Sequence, residues 1–132
     1  MLLSMLLMLL IIRWLLALNG AYDLACAAAI VWAEGSVLGR LHSDIWARPP
    51  LGESARLRLA CWVCANGCAR LATGLLLALP SLCAFTFVLE AVVFEYEARF
   101  GGDGVVRWRA AVTSVLSLCM GALALLLVAP AE

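Results

Sequence analysis

Three ionisable residues stand inside otherwise apolar stretches of the chain: Asp23, Arg70 and Glu90. A lone arginine at the centre of a membrane helix costs roughly 2.5 to 3.5 kcal/mol on insertion scales, so an acid is expected beside it. Two carboxylates and one guanidinium can clamp helices together, and the same groups can relay a proton or bind a polar headgroup. The sequence therefore predicts a buried cluster of these three residues and leaves its role open.

A short motif repeats around two of these charges. Asn19 and Asn66 are each followed by a glycine and, three residues after that glycine, by Asp23 and Arg70 respectively. We therefore expect both asparagines to belong to the intramembrane polar cluster. The echo is also a weak indication of a duplicated hairpin.

The composition is that of a membrane protein with a single domain. Apolar residues make up 66% of the 132 residues, against about 45 to 50% in soluble proteins. Nine basic and nine acidic residues give a net charge of zero, and every basic residue is arginine. This balance argues against a nucleic-acid partner and against a polybasic patch for a membrane surface.

The apolar stretches predict an all-α bundle of four transmembrane helices. The predicted crossings are 13–34, 55–78, 81–97 and 105–128, and the polar loop is 35–54. About 20 residues span the hydrocarbon core, so the first dozen residues should extend the first helix or lie along the interface. Composition predicts a turn at 101–104.

One alternative has three crossings and one interfacial helix. The stretch between the second and third predicted crossings contains Pro80 but no strongly polar residue. In this alternative, residues 71–94 form a single proline-kinked crossing, and residues 56–70 lie along the membrane surface.

Small residues recur every four positions on three of the predicted helices, which is typical of faces where helices approach closely. The first ladder is expected to pack against the second, and the third to pack on its neighbours. The members are Ala21, Ala25 and Ala29; Ala60, Cys64, Cys68 and Ala72; and Thr113, Ser117 and Gly121.

Other reactive side chains do not form a recognisable catalytic or metal site. Cys61, Cys64 and Cys68 share one helical face but lack a fourth ligand in the pattern. His42 is followed by serine and aspartate, yet chain neighbours rarely converge as a catalytic triad does. We therefore expect no catalytic residue, no metal and no resident cofactor, while a bound lipid or pigment stays open.

The arginines predict an orientation. With four crossings, the segments 35–54 and 98–109 carry most of them on one side, which the positive-inside rule assigns to the cytoplasm, matrix or stroma. Arg13 and both termini then lie on the opposite side. Sequence alone favours a small accessory subunit that packs among lipids and other membrane-protein subunits. The alternative is a small transporter, proton relay or ligand-binding protein, as a single chain or a homo-oligomer.

Overall fold

Helices account for nearly all of the structure. The computed structural model describes residues 2–33, 35–46, 52–76, 80–100 and 107–127. These residues contain no strand and form α1 (Leu2–Trp32), α2 (Val37–Trp46), α3 (Glu53–Leu76), α4 (Pro80–Phe100) and α5 (Arg107–Leu126). The all-α prediction is confirmed for this part of the chain. Three helices, α1, α3 and α5, are long and apolar enough to cross a membrane, which suggests a membrane location.

Several polar and charged side chains lie inside the bundle, and many large apolar side chains lie on its surface. Asp23, Arg70 and Glu90 are all buried, and so is Thr73. Large exposed apolar residues occur on every helix, for example Leu76, which is 75% exposed. A water-soluble protein rarely exposes apolar surface on this scale, so the distribution suits an apolar surrounding solvent.

Glycines let α1 and α3 pack backbone to backbone in antiparallel directions. A Cβ atom added to Gly20 would lie 2.5 Å from the Leu71 nitrogen, and one added to Gly74 would lie 2.5 Å from the Ala17 nitrogen. Such distances leave no room for a side chain. At one end of this contact, Arg13 donates hydrogen bonds to the carbonyls of Gly74 and Leu75.

Most members of the first two small-residue ladders do not lie in the contact between α1 and α3. Ala21, Ala25, Cys64 and Cys68 are exposed, Ala29 and Ala72 are half-buried, and only Ala60 is buried. The contact uses the glycine faces instead, because glycine lacks a Cβ and permits a closer approach than alanine or cysteine. Consecutive helical residues are rotated by about 100°, so Ala21 lies off the face that Gly20 presents to α3.

The other extensive pair is α4 with α5, also antiparallel. Ser114 donates a hydrogen bond of 2.9 Å to the Ala91 carbonyl, and a Cβ on Gly121 would lie 3.2 Å from the Phe87 Cβ. Ser117 and Gly121 of the third ladder are buried. A cluster of apolar residues joins this pair to α1; it contains Ile12, Leu16, Cys83, Ala84, Phe87 and Ala124.

The chain also reverses direction between α3 and α4. Near the start of α3, Trp62 lies 6.4 Å from Phe94, measured between ring centroids. Nearer its end, Arg70 contacts Phe87 and Glu90. The two helices therefore run side by side in opposite directions, and residues 71–76 and 80–94 belong to different helices.

Part of the predicted polar loop 35–54 is helical. Ser36 caps α2, since the Gly39 N–H donates a hydrogen bond of 3.1 Å to the Ser36 Oγ, a typical N-cap contact. The segment predicted as the polar loop thus contains the helix Val37–Trp46. The predicted turn 101–104, and the positions 34, 77–78 and 128 at which predicted crossings end, lie outside the described residues.

Candidate functional site

Arg70 lies at the centre of a buried polar network. One terminal nitrogen, Nη1, donates to the Asn19 Oδ1 at 3.1 Å and to the Asp23 Oδ2 at 2.5 Å. The other, Nη2, donates to the Glu90 Oε2. The guanidinium carbon lies 3.8 Å from the centroid of the Phe87 ring. Arg70 is 2% exposed, so these contacts replace the water that the guanidinium loses on burial.

Three helices supply this network. Asn19 and Asp23 are four residues apart on α1 and share one face, while Phe87 and Glu90 are three apart on α4. Arg70 comes from α3 and follows Gly67 by three residues, which is about one helical turn. Gly67 packs against Gly20 of α1. The network therefore joins the α1–α3 pair to α4, and it brings together four of the five residues that the sequence assigns to the polar cluster.

Asn66, the fifth, occupies a different place. It is buried and lines a cavity of about 10 Å³ beside the guanidinium, with Trp62 and Phe94 as further walls. The volume is close to that of one water probe. Arg70 also lines this cavity. Its Nε is buried and has no hydrogen-bond acceptor among the described residues.

A much larger cleft also borders the network. It has a volume of about 500 Å³ and lies between α1 and α5. Asn19, Asp23, Arg70 and Glu90 form its polar floor. The volume is in the range of pockets that hold small molecules, roughly 300 to 1,000 Å³.

The walls of the cleft combine hydroxyl and apolar groups. Thr113 and Ser117 of α5 face the cleft from one side, and Val112, Leu116 and Met120 supply apolar surface on the same helix. Leu116 is 60% exposed, which places it at the mouth. A molecule bound here would meet polar groups at the floor and apolar groups at the mouth.

Each end of the cleft is bounded by a different element. Met120 packs against the apolar cluster that contains Ile12 and Leu16, and so closes one end. At the other end, Leu41 of α2 lines the cleft together with Trp108 and Arg109. Helix α2 contacts both α1 and α5 there, so the segment expected to be a loop forms part of the site.

Several site residues are not among those singled out from the sequence. Phe87, Leu116 and Arg109 line the cleft, and the last two carry no pattern that distinguishes them from other residues of α5. Phe87 did carry one signal, since it precedes Glu90 by three residues and therefore shares its face. Thr113 and Ser117 belong to a ladder of small residues in the sequence, and both line the cleft.

The outer cysteines are far from this site. Cys61, Cys64 and Cys68 are exposed on α3. Cys68 is two residues before Arg70, which places it about 160° around the helix from the guanidinium.

Comparison with protein-family models, with curated proteins and with solved structures finds no match to this chain. Its function must therefore be inferred from the site itself.

Proposed function

We propose that this protein is an integral membrane protein with four crossings that binds a small amphipathic molecule in the cleft between α1 and α5. The cleft carries the proposal: about 500 Å³ of space adjoins a buried ionic network and opens past exposed apolar residues. A purely structural clamp needs no such space, because its ion pairs are satisfied within the bundle.

The order of helix directions supports four crossings. α3 and α5 run in the same direction, since each is antiparallel to α4. If both cross the membrane, the chain must return between them, and α4 is the segment available. Its 21 residues extend about 32 Å, which is enough to span a hydrocarbon core of about 30 Å. The exposed pair of Glu95 and Arg99 then lies near the headgroups.

The same directions support the predicted orientation. The starts of α3 and α5 and the end of α4 lie at one end of the bundle, and the described arginines at that end are Arg40, Arg56, Arg58, Arg99, Arg107 and Arg109. Arg13 lies at the opposite end, beside the last turn of α3. By the positive-inside rule, the arginine-rich end faces the cytoplasm, or the matrix or stroma of an organelle, and both termini face the other side.

The proposal is tested by extracting the protein from its native membrane in a mild detergent and identifying small molecules that remain bound. Leu116→Trp narrows the mouth of the cleft without touching the ionic network. Leu118→Trp is the matched control, because Leu118 is also exposed on α5 but does not line the cleft. We expect wild type and the control to retain a bound molecule that Leu116→Trp loses. Equal retention by all three proteins would refute binding in this cleft.

An accessory subunit of a larger membrane complex is the second candidate. The observation in its favour is the outer face of the α1–α3 pair, where Ala21, Ala25, Cys64 and Cys68 are small and exposed. Such a face permits close approach of a further membrane helix. Native gel separation with mass spectrometry tests it: stoichiometric comigration with a large assembly supports this candidate, and a small homogeneous species contradicts it.

A further inference from the structure

The ionic network has a surplus of one negative charge. Two carboxylates, Asp23 and Glu90, face the single guanidinium of Arg70, and each gives one oxygen to it. In the described part of the chain, no other cation contacts either carboxylate. Ionised groups without a compensating charge are costly in a low-dielectric interior, by several kcal/mol on general grounds. Either a proton on one carboxylate or a cation beside the pair removes this cost, and only the cation involves a ligand.

Arg70 also has one hydrogen-bond donor that the two carboxylates do not use. Its Nε is buried and has no acceptor among the described residues. The side chain borders both the small cavity and the cleft. An oxygen acceptor satisfies such a donor and a cation does not, so the free Nε–H carries no information on the charge of a ligand in the cleft.

The nearest cationic residue on the cleft wall is not placed to supply the charge. Arg109 lies at the rim, with its guanidinium carbon 5.5 Å from the centroid of the Trp108 ring. The position of α5 level with Glu90 is marked by Ser114, which contacts the backbone of the next residue on α4. Arg109 precedes Ser114 by five residues, so its backbone lies about 8 Å away along the helix axis. Arg109 therefore belongs to the rim and the carboxylates to the floor.

We propose that the cleft binds a lipophilic monocation, a molecule with one ammonium-type charge and an apolar body. Its charge lies beside Asp23 and Glu90 and balances the surplus, and its apolar body contacts Val112, Leu116 and Met120. This inference rests on the proposed function and narrows it to one class of ligand. The exposed mouth at Leu116 and Tyr22 gives access from the surrounding lipid, which selects molecules that partition into membranes.

The charge of the ligand distinguishes a lipophilic cation from the alternatives, an anion and a neutral amphiphile. An anion at the floor would add to the surplus negative charge, and a neutral amphiphile would leave it uncompensated. The ring of Tyr22, which lines the cleft, offers a further favourable surface to a cation. Affinity should therefore depend on the sign of the ligand charge at constant shape.

Tetraphenylphosphonium and tetraphenylborate provide this comparison, because they have similar shapes and opposite charges. Saturable binding of each is measured by equilibrium dialysis to the full chain in lipid nanodiscs, with empty nanodiscs subtracted. We expect the cation to bind at least about tenfold more tightly than the anion, a difference of about 1.4 kcal/mol. Leu116→Trp should abolish this binding, and Leu118→Trp should preserve it.

Glu90→Gln and Asp23→Asn test the role of the surplus charge. Each should weaken cation binding by about tenfold or more, whereas Glu95→Gln, a carboxylate change on the exposed part of α4, should not. Monodisperse elution of each variant establishes that it is folded.

Unchanged cation binding in both folded variants, or equal binding of the two ions, would overturn the monocation inference. If binding of the anion is nevertheless lost in Leu116→Trp, the proposed cleft function stands. If neither ion binds saturably and no molecule is co-extracted, both proposals fail.

Discussion

Gly20 and Gly67 mark the point where α1 and α3 cross, and a Cβ on Gly67 would lie 2.9 Å from the Gly20 carbonyl oxygen. The motif that repeats in the sequence therefore meets itself at this crossing. Each glycine provides the close approach, and each charge three residues later lies one turn away. This geometry brings Arg70 within reach of Asn19 and Asp23.

Substituting either crossing glycine should separate the helices. Gly20→Ala puts a methyl group against the backbone of α3, and overpacking of this kind typically costs about 1 to 3 kcal/mol. We expect a corresponding fall in the free energy of unfolding, measured by reversible denaturation in mixed micelles. Gly35→Ala is the control, because a Cβ there meets nothing within 4 Å. Equal stability of the two variants would contradict the close crossing.

Removing Arg70 should be far more damaging than removing an exposed arginine. Arg70→Met leaves two buried carboxylates without their partner, and breaking a buried pair typically costs about 3 to 5 kcal/mol. Arg99→Met removes a guanidinium that is 68% exposed and pairs with Glu95, and surface pairs are worth about 0 to 1 kcal/mol. The same unfolding assay checks the difference. Comparable losses in both variants would show that the Arg70 network contributes little to stability.

The ionic network is predictable from the sequence for a general physical reason. Charges such as Asp23 and Arg70 are rare inside apolar segments, and they are tolerated there only when they find partners. Their depths along the predicted helices already match. Asn19 follows for the same reason, since it precedes Asp23 by four residues and shares its face.

The helix contacts and the cleft are not predictable in this way. Alanine, cysteine and glycine ladders all suit close packing, and only the fold shows that Gly20 and Gly74 face the partner helix while Cys64 does not. The cleft depends on the rotation of α5 and on the position of α2. Those features depend on tertiary packing over the whole bundle, and a local pattern around Leu41 or Leu116 does not encode them.

Accessibility of introduced thiols distinguishes four crossings from three. With four, Gly35→Cys and Phe100→Cys lie on one side of the membrane and Leu3→Cys lies on the other. With a single crossing over 71–94, the first two would lie on opposite sides. All three positions are exposed. A membrane-impermeant maleimide applied to the outside of sealed, oriented vesicles should therefore label only the positions on the outer side. Labelling of Gly35→Cys and Phe100→Cys from opposite sides would exclude the four-crossing topology.

Exchanging the charges of Asp23 and Arg70 tests whether they pair directly. Asp23→Arg alone gathers two arginines at the centre of the bundle, and Arg70→Asp alone gathers three carboxylates, so both should lower protein abundance strongly. In the double variant, the arginine at position 23 again faces a carboxylate on α3. This arginine can also reach Glu90, because in the wild type Asp23 and Glu90 bind the same guanidinium. We expect abundance in membranes, measured by immunoblotting, to recover at least partly.

As a control, exchanging Glu95 and Arg99, an exposed pair on one helix, should change abundance little in either single variant. If the central double variant is no more abundant than its singles, the contact between Asp23 and Arg70 does not hold the two helices together.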